Sequence, residues 1–107
     1  MTDGDDLTAA ELISQSLELE HQGKVSAAIR LAQRAVDLAR SQGDVEAEAT
    51  AQVKLAFLHF RIGHYSKATI LTQAALTLAP PESESRADAL LQLGMIAAES
   101  ADLNASE

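Results

Sequence analysis

A chain of 107 residues with 47% hydrophobic content has the size of one domain, and two separate cores are excluded at that length. Aromatic residues make up only 3% while Ala and Leu supply 21 and 15 positions, a composition that suits closely packed helices and excludes an all-β fold. Eight basic residues against sixteen acidic ones give a net charge of -8, which repels phosphate backbones and anionic lipid surfaces, so neither nucleic acid nor a membrane is an expected partner.

In chain order, the acidic run of residues 1–6 reads as a tail. Thr8-Ala-Ala-Glu11 has the form of a capping box, and Leu12, Ile13, Leu17 and Leu19 follow at helical spacing, predicting a helix over about 8–22 closed by Gly23. Val25, Ala28, Ile29, Ala32, Ala35, Val36 and Ala39 carry a second helix over about 25–41, with Arg30 and Arg34 on its outer side. Asp44 is the expected N-cap of a third helix that ends near Gly63, with Glu46 and Glu48 at the positive end of its dipole. Tyr65 to Ala79 makes a fourth, stopped by Pro80-Pro81. Ser85-Arg-Ala-Asp88 repeats the capping-box form and opens a fifth helix to about Ser100, with a frayed end beyond it.

The acidic start lacks the basic and apolar regions of a signal peptide, and no apolar run approaches the ~18–20 residues of a membrane span. With no cysteine there is neither a disulfide framework nor a thiolate site. A cytoplasmic protein is expected.

Internal repetition is the main fold signal. Gly23 and Gly63 lie 40 residues apart, Gly23-Lys-Val-Ser-Ala-Ala28 falls over Gly63-His-Tyr-Ser-Lys-Ala68, and Ala35-Val36 falls over Ala75-Leu76. In the second copy Ala49, Leu55-Ala56, Gly63, Tyr65, Ala68, Ala75-Leu76 and Pro80 resemble the signature of the tetratricopeptide repeat, in the variety of roughly forty residues per repeat. The first copy keeps Leu12, Ala28 and Ala35 but has Gln15-Ser16 where the family has Leu and a small apolar residue. A third begins with Ala87, Leu90 and Leu93-Gly94. The resemblance implies an all-α fold: a right-handed α-solenoid of antiparallel helix pairs, five helices or about two and a half repeats (about 8–43, 44–81 and 85–101), forming a single domain. A closed helical bundle is the alternative architecture.

No phosphate loop, nucleophile elbow, zincin motif or calcium loop occurs, so neither an enzyme nor a cofactor is expected. His59 and His64 are five residues apart, whereas two metal ligands on one helical face need three or four, so no metal site is expected; His21 and His64 are read as solvated. Glu11, Glu18, Asp44, Glu46, Glu48, Glu82 and Glu84 are read as surface and first-turn acids rather than an acid/base site.

The family resemblance implies a concave face built from the first helices of successive repeats. Ile13, Leu17, Val53, Lys54, Phe57, Arg61, Leu91 and Met95 are the candidate partner-binding residues, with Lys54 and Arg61 as a basic side and Glu20 and Glu99 near acidic ends. Ile13, Leu17 and Phe57 stand where a carboxylate-gripping subtype has Lys and Asn, so that clamp is not expected. In the fifth helix Asp88, Gln92 and Glu99 form one narrow polar stripe. Leu90, Leu93 and Ile96 are therefore candidates for self-association in a homodimer. The expected function is a non-catalytic protein–protein interaction scaffold presenting a partly apolar groove to a peptide or helix. The alternative is a regulatory or oligomerisation fragment of a larger, bacterial-type signalling or transcription-regulator protein.

Overall fold

The computed structural model describes residues 7–105, and the expected acidic tail of residues 1–6 lies outside them. Five helices follow one another: α1 (Ala9–His21), α2 (Val25–Ser41), α3 (Val45–Arg61), α4 (Tyr65–Leu78) and α5 (Glu84–Ala105). There is no strand among the described residues.

Local chemistry explains the boundaries. The Glu11 amide donates to Thr8 Oγ1 at 3.1 Å and the Thr8 amide to Glu11 Oε1 at 2.8 Å, so both halves of the capping box at α1 are made. Asp44 caps α3 by accepting from the Ala47 amide. Gly23, Gly43 and Gly63 adopt φ of +82°, +69° and +85°. At each, the residue after the glycine donates to a carbonyl five residues back: Lys24 to Leu19, Asp44 to Ala39, His64 to His59. The glycine itself donates three residues back, which completes the same Schellman closure at intervals of twenty residues. Each connection is only three residues long, so consecutive helices run antiparallel.

The fourth connection differs. Pro80 accepts from the Ser83 amide at 3.2 Å and Glu82 has φ +66°, a type II turn with a non-glycine residue in its left-handed position. Ser83, not Ser85, caps α5, its hydroxyl accepting from the Arg86 amide; Ser85 is buried. The helix then continues to Ala105, past the expected end near Ser100.

Each helix packs on its chain neighbours, and α3 also touches both α1 and α5, whereas α2 and α4 do not meet. The odd-numbered helices thus form one layer and the even-numbered ones a second. The smallest extent of the fold, 17 Å, fits two layers with axes ~8–10 Å apart. Buried positions recur forty residues on: Ala9, Leu12, Ser16, Ala28, Ala32, Ala35 and Ala39 are matched by Ala49, Gln52, Ala56, Ala68, Thr72, Ala75 and Ala79. Ser16 meets the requirement for a small residue, and its hydroxyl donates to the Ala28 carbonyl across the α1–α2 seam at 2.9 Å. Gln15 is exposed where Leu55 is buried, because only α3 is covered on both sides.

The segment expected to be a third copy does not bury the residues that the sequence pattern picked out. Ala87, Leu90 and Gly94 are exposed, and α5 instead buries Ala89, Gln92 and Ile96, forty residues after Ala49, Gln52 and Ala56. Gln92 can be buried because its amide donates to Thr72 Oγ1 at 3.0 Å and to the Val53 carbonyl at 3.2 Å.

Candidate interaction groove

A groove of about 380 Å³ runs between α3 and α5 and reaches Ile13 of α1. Val53 and Phe57 of α3 and Leu91 and Met95 of α5 supply apolar walls, while Thr50, Lys54, Ser85, Gln92, Glu84 and Asp88 complete the lining. It forms because side chains at i, i+3, i+4 and i+7 of α3 share one side of the helix, and the same spacing applies on α5. Leu91 and Met95 are large apolar side chains left 69% and 41% exposed. Phe57 is half-buried, its ring centroid 6.2 Å from that of Phe60.

Of the candidate partner-binding residues, the structure thus brings Ile13, Val53, Lys54, Phe57, Leu91 and Met95 to one groove. Leu17 is exposed on α1 but outside the lining, and so is Arg61. Lys54 and Arg61 are not a free basic side. Glu20 is buried, not at an acidic end, and its two carboxylate oxygens lie 2.5 Å from Lys54 Nζ and 2.6 Å from Arg61 Nη1. Burial pushes the Glu20 carboxyl up, but the hydrogen bonds and charges of Lys54 and Arg61 outweigh it and hold the group below its ordinary value. Lys54 also lies 5.3 Å from the centre of the Phe57 ring.

The self-association candidates separate. Leu90 is 53% exposed and Leu93 half-buried, but Ile96 is only 2% exposed and belongs to the core. The expected polar stripe is broken in the same way, since Gln92 faces inward while Asp88 and Glu99 remain exposed. Glu48 also differs from the surface reading: it is buried, with Oε2 2.8 Å from Arg40 Nε and 3.4 Å from Gln52 Nε2.

His59 and His64 meet despite their spacing, with Nδ1 atoms 3.2 Å apart and ring centroids 5.4 Å apart. The spacing rule assumes an unbroken helix, and the left-handed Gly63 folds His64 back onto the last turn of α3. The difference between those two distances is about what two ring radii add, so the nitrogens face each other nearly in line. A tetrahedral zinc ion about 2.0–2.1 Å from both nitrogens would sit to one side of the line along which their lone pairs meet, whereas one shared proton fits on that line. Burial, followed by the charges of Lys67 and His64, pushes the His59 imidazole below its ordinary value. Among the described residues, no group of three or more His, Cys, Asp or Glu side chains is placed to hold a metal ion. No helix there is long and apolar enough to cross a membrane.

No family model matches the chain, and no curated protein or solved structure matches it either.

Proposed function

We propose that the protein is a non-catalytic, cytoplasmic interaction scaffold, a short right-handed stack of tetratricopeptide-type helix pairs that holds an apolar peptide or helix in the groove between α3 and α5. The observation that carries this reading is the groove itself: about 380 Å³ of open space, with Val53, Phe57, Leu91 and Met95 turned toward it from two helices of the same layer. The closures at Gly23, Gly43 and Gly63, the buried positions recurring at forty residues and the separation of α2 from α4 support the stacked arrangement over a closed bundle. Phe57 is the central aromatic of the groove. Phe57→Ser is expected to weaken partner binding by about 1–3 kcal/mol. Its cost to folding is expected to be only about 1–2 kcal/mol, because the ring is half-buried. Unchanged affinity in a folded Phe57→Ser protein would remove the reading.

A second reading, self-association, is favoured by the outer face of α5. Ala87, Leu90, Leu91, Gly94, Ala98 and Ala101 are all exposed on the side opposite Ala89, Gln92 and Ile96. Apart from its border at Leu91, which adjoins Glu84 and Asp88 of the groove wall, that face carries no charge, so like charges are not brought into direct contact there although the chain has a net charge of -8. It also sets the exposed Leu90 and Leu91 beside Gly94, which has no side chain, a projection and a recess that a self-complementary two-fold contact can pair.

A further inference from the structure

We propose that the occupant of the α3/α5 groove is an amphipathic helix of about three turns, basic at one end and apolar along the rest; the inference rests on the groove reading above.

Length and backbone chemistry point to a helix. The α5 wall is lined at Glu84, Asp88, Leu91 and Met95, successive turns of one face spanning about 16 Å at ~1.5 Å per residue. The walls are helices whose backbone groups are already paired within themselves. An extended peptide would enter the groove with its own amides and carbonyls unmatched, whereas a helix arrives with its backbone satisfied and only side chains to place.

Charge points to a basic partner. Lys54, the only cation among the described residues of the lining, is held by Glu20. Arg86, close by in sequence, directs its guanidinium to the Leu76 carbonyl. The amide nitrogen of Gln92 is taken up by Thr72 and Val53, and the Ser85 hydroxyl lies 3.2 Å from that of Ser83. Glu84 and Asp88, one turn apart on the exposed rim, form no ion pair among the described residues. They leave negative charge at the start of α5 while Leu91 and Met95 make the wall apolar further on. A helix with Lys or Arg in one terminal turn and Leu-sized side chains at i, i+3 or i+4, and i+7 matches both halves, and the net charge of -8 steers it toward the site.

The test uses synthetic helices of about fourteen residues, titrated against the whole chain by fluorescence anisotropy: a Lys/Leu amphipathic peptide with its lysines in the first turn, and a twin with Glu in place of Lys. The Lys/Leu peptide is expected to bind at least about tenfold more tightly than its twin, and to lose about threefold to tenfold in affinity on Glu84→Gln or Asp88→Asn. Asp37→Asn, on α2, is expected to leave binding unchanged, and Phe57→Ser to weaken both peptides. Equal binding of the Glu twin through a Phe57-sensitive site would overturn the basic partner while leaving the groove. Equal weakening by Asp37→Asn and Asp88→Asn would overturn it too, by reducing the preference to net charge. Binding of the Lys/Leu peptide that is indifferent to Phe57→Ser, or no binding at all, would overturn the groove occupant as a whole.

Discussion

Glu20 and Lys54 are 34 residues apart in sequence, yet their charged atoms meet at 2.5 Å across the seam between α1 and α3, with side chains only 4% and 13% exposed. Arg61 closes on the second oxygen of the same carboxylate. The trio joins the first helix to the central one and fixes Lys54 along the groove wall. Glu20→Gln leaves a largely buried ammonium without its counter-charge, a change expected to cost about 2–4 kcal/mol, somewhat less than a fully interior pair because Arg61 is half-exposed. Chemical denaturation reads the loss directly. A variant within about 0.5 kcal/mol of the parent would show that the contact contributes little.

Acid should weaken the fold in two stages. His59 and Glu20 both titrate below their ordinary values of 6.5 and 4.5 in the folded chain. For a depressed group the unfolded chain takes up protons first as pH falls. Each contribution is therefore complete above the ordinary value and lost as pH drops through the folded one. The melting temperature should decline gently below about pH 6.5 and more steeply below about pH 4.5. His59→Gln should flatten the first stage, and Glu20→Gln the second. A parent curve that is level from neutral pH down to about 5 would contradict the role given to the histidine pair.

Local signals were legible in the sequence, and long-range ones were not. The span of α2 and the closures at Gly23 and Gly63 follow from capping and glycine chemistry within a few residues, so pattern alone places them. The face of α5 is different. Its apolar residues encircle most of the helix, so periodicity fits two orientations, and the one adopted buries Gln92 because Thr72 and Val53 satisfy its amide. Glu20 gave no sign of burial, because its partners come from another helix. Most of the groove residues were reached through the resemblance to a helix-pair repeat, which implied one face shared by the first helices. The uncompensated rim of Glu84 and Asp88 emerged only once Lys54 was seen to be tied to Glu20.

The outer face of α5 gives opposite signs for fold and assembly in one variant. A side-chain carbon added at Gly94 would meet nothing within 4 Å, and mid-helix glycine is less favourable than ordinary residues by about 0.5–1 kcal/mol. Gly94→Gln should therefore raise the melting temperature of the monomer while obstructing the close approach of a second α5. Leu90→Glu should block the same contact by charge. Sedimentation velocity across a concentration series is expected to show a parent dimer that both variants dissociate. A parent that stays monomeric, or a dimer indifferent to both changes, would end the self-association reading.

The turn between α4 and α5 stores strain that a single substitution can release. Pro80 and Pro81 force the chain out of helix, and the type II turn they begin needs a left-handed residue at its third position, where Glu82 sits at φ +66°. A branched or bulky side chain is disfavoured there, glycine adopts the conformation freely and asparagine tolerates it. Glu82 is exposed and its side chain makes no hydrogen bond or ion pair among the described residues, so replacing it forfeits no contact that would offset the gain. Glycine also has more unfolded freedom to lose, which limits its net benefit to about 0.5–1 kcal/mol. On a chain of this length that corresponds to a rise of about 2–6 °C in melting temperature. Glu82→Asn should match or exceed Glu82→Gly, and Glu82→Val should lower the melting temperature. If glycine and asparagine both left it unchanged or reduced it, the turn would not be the strained point of the fold.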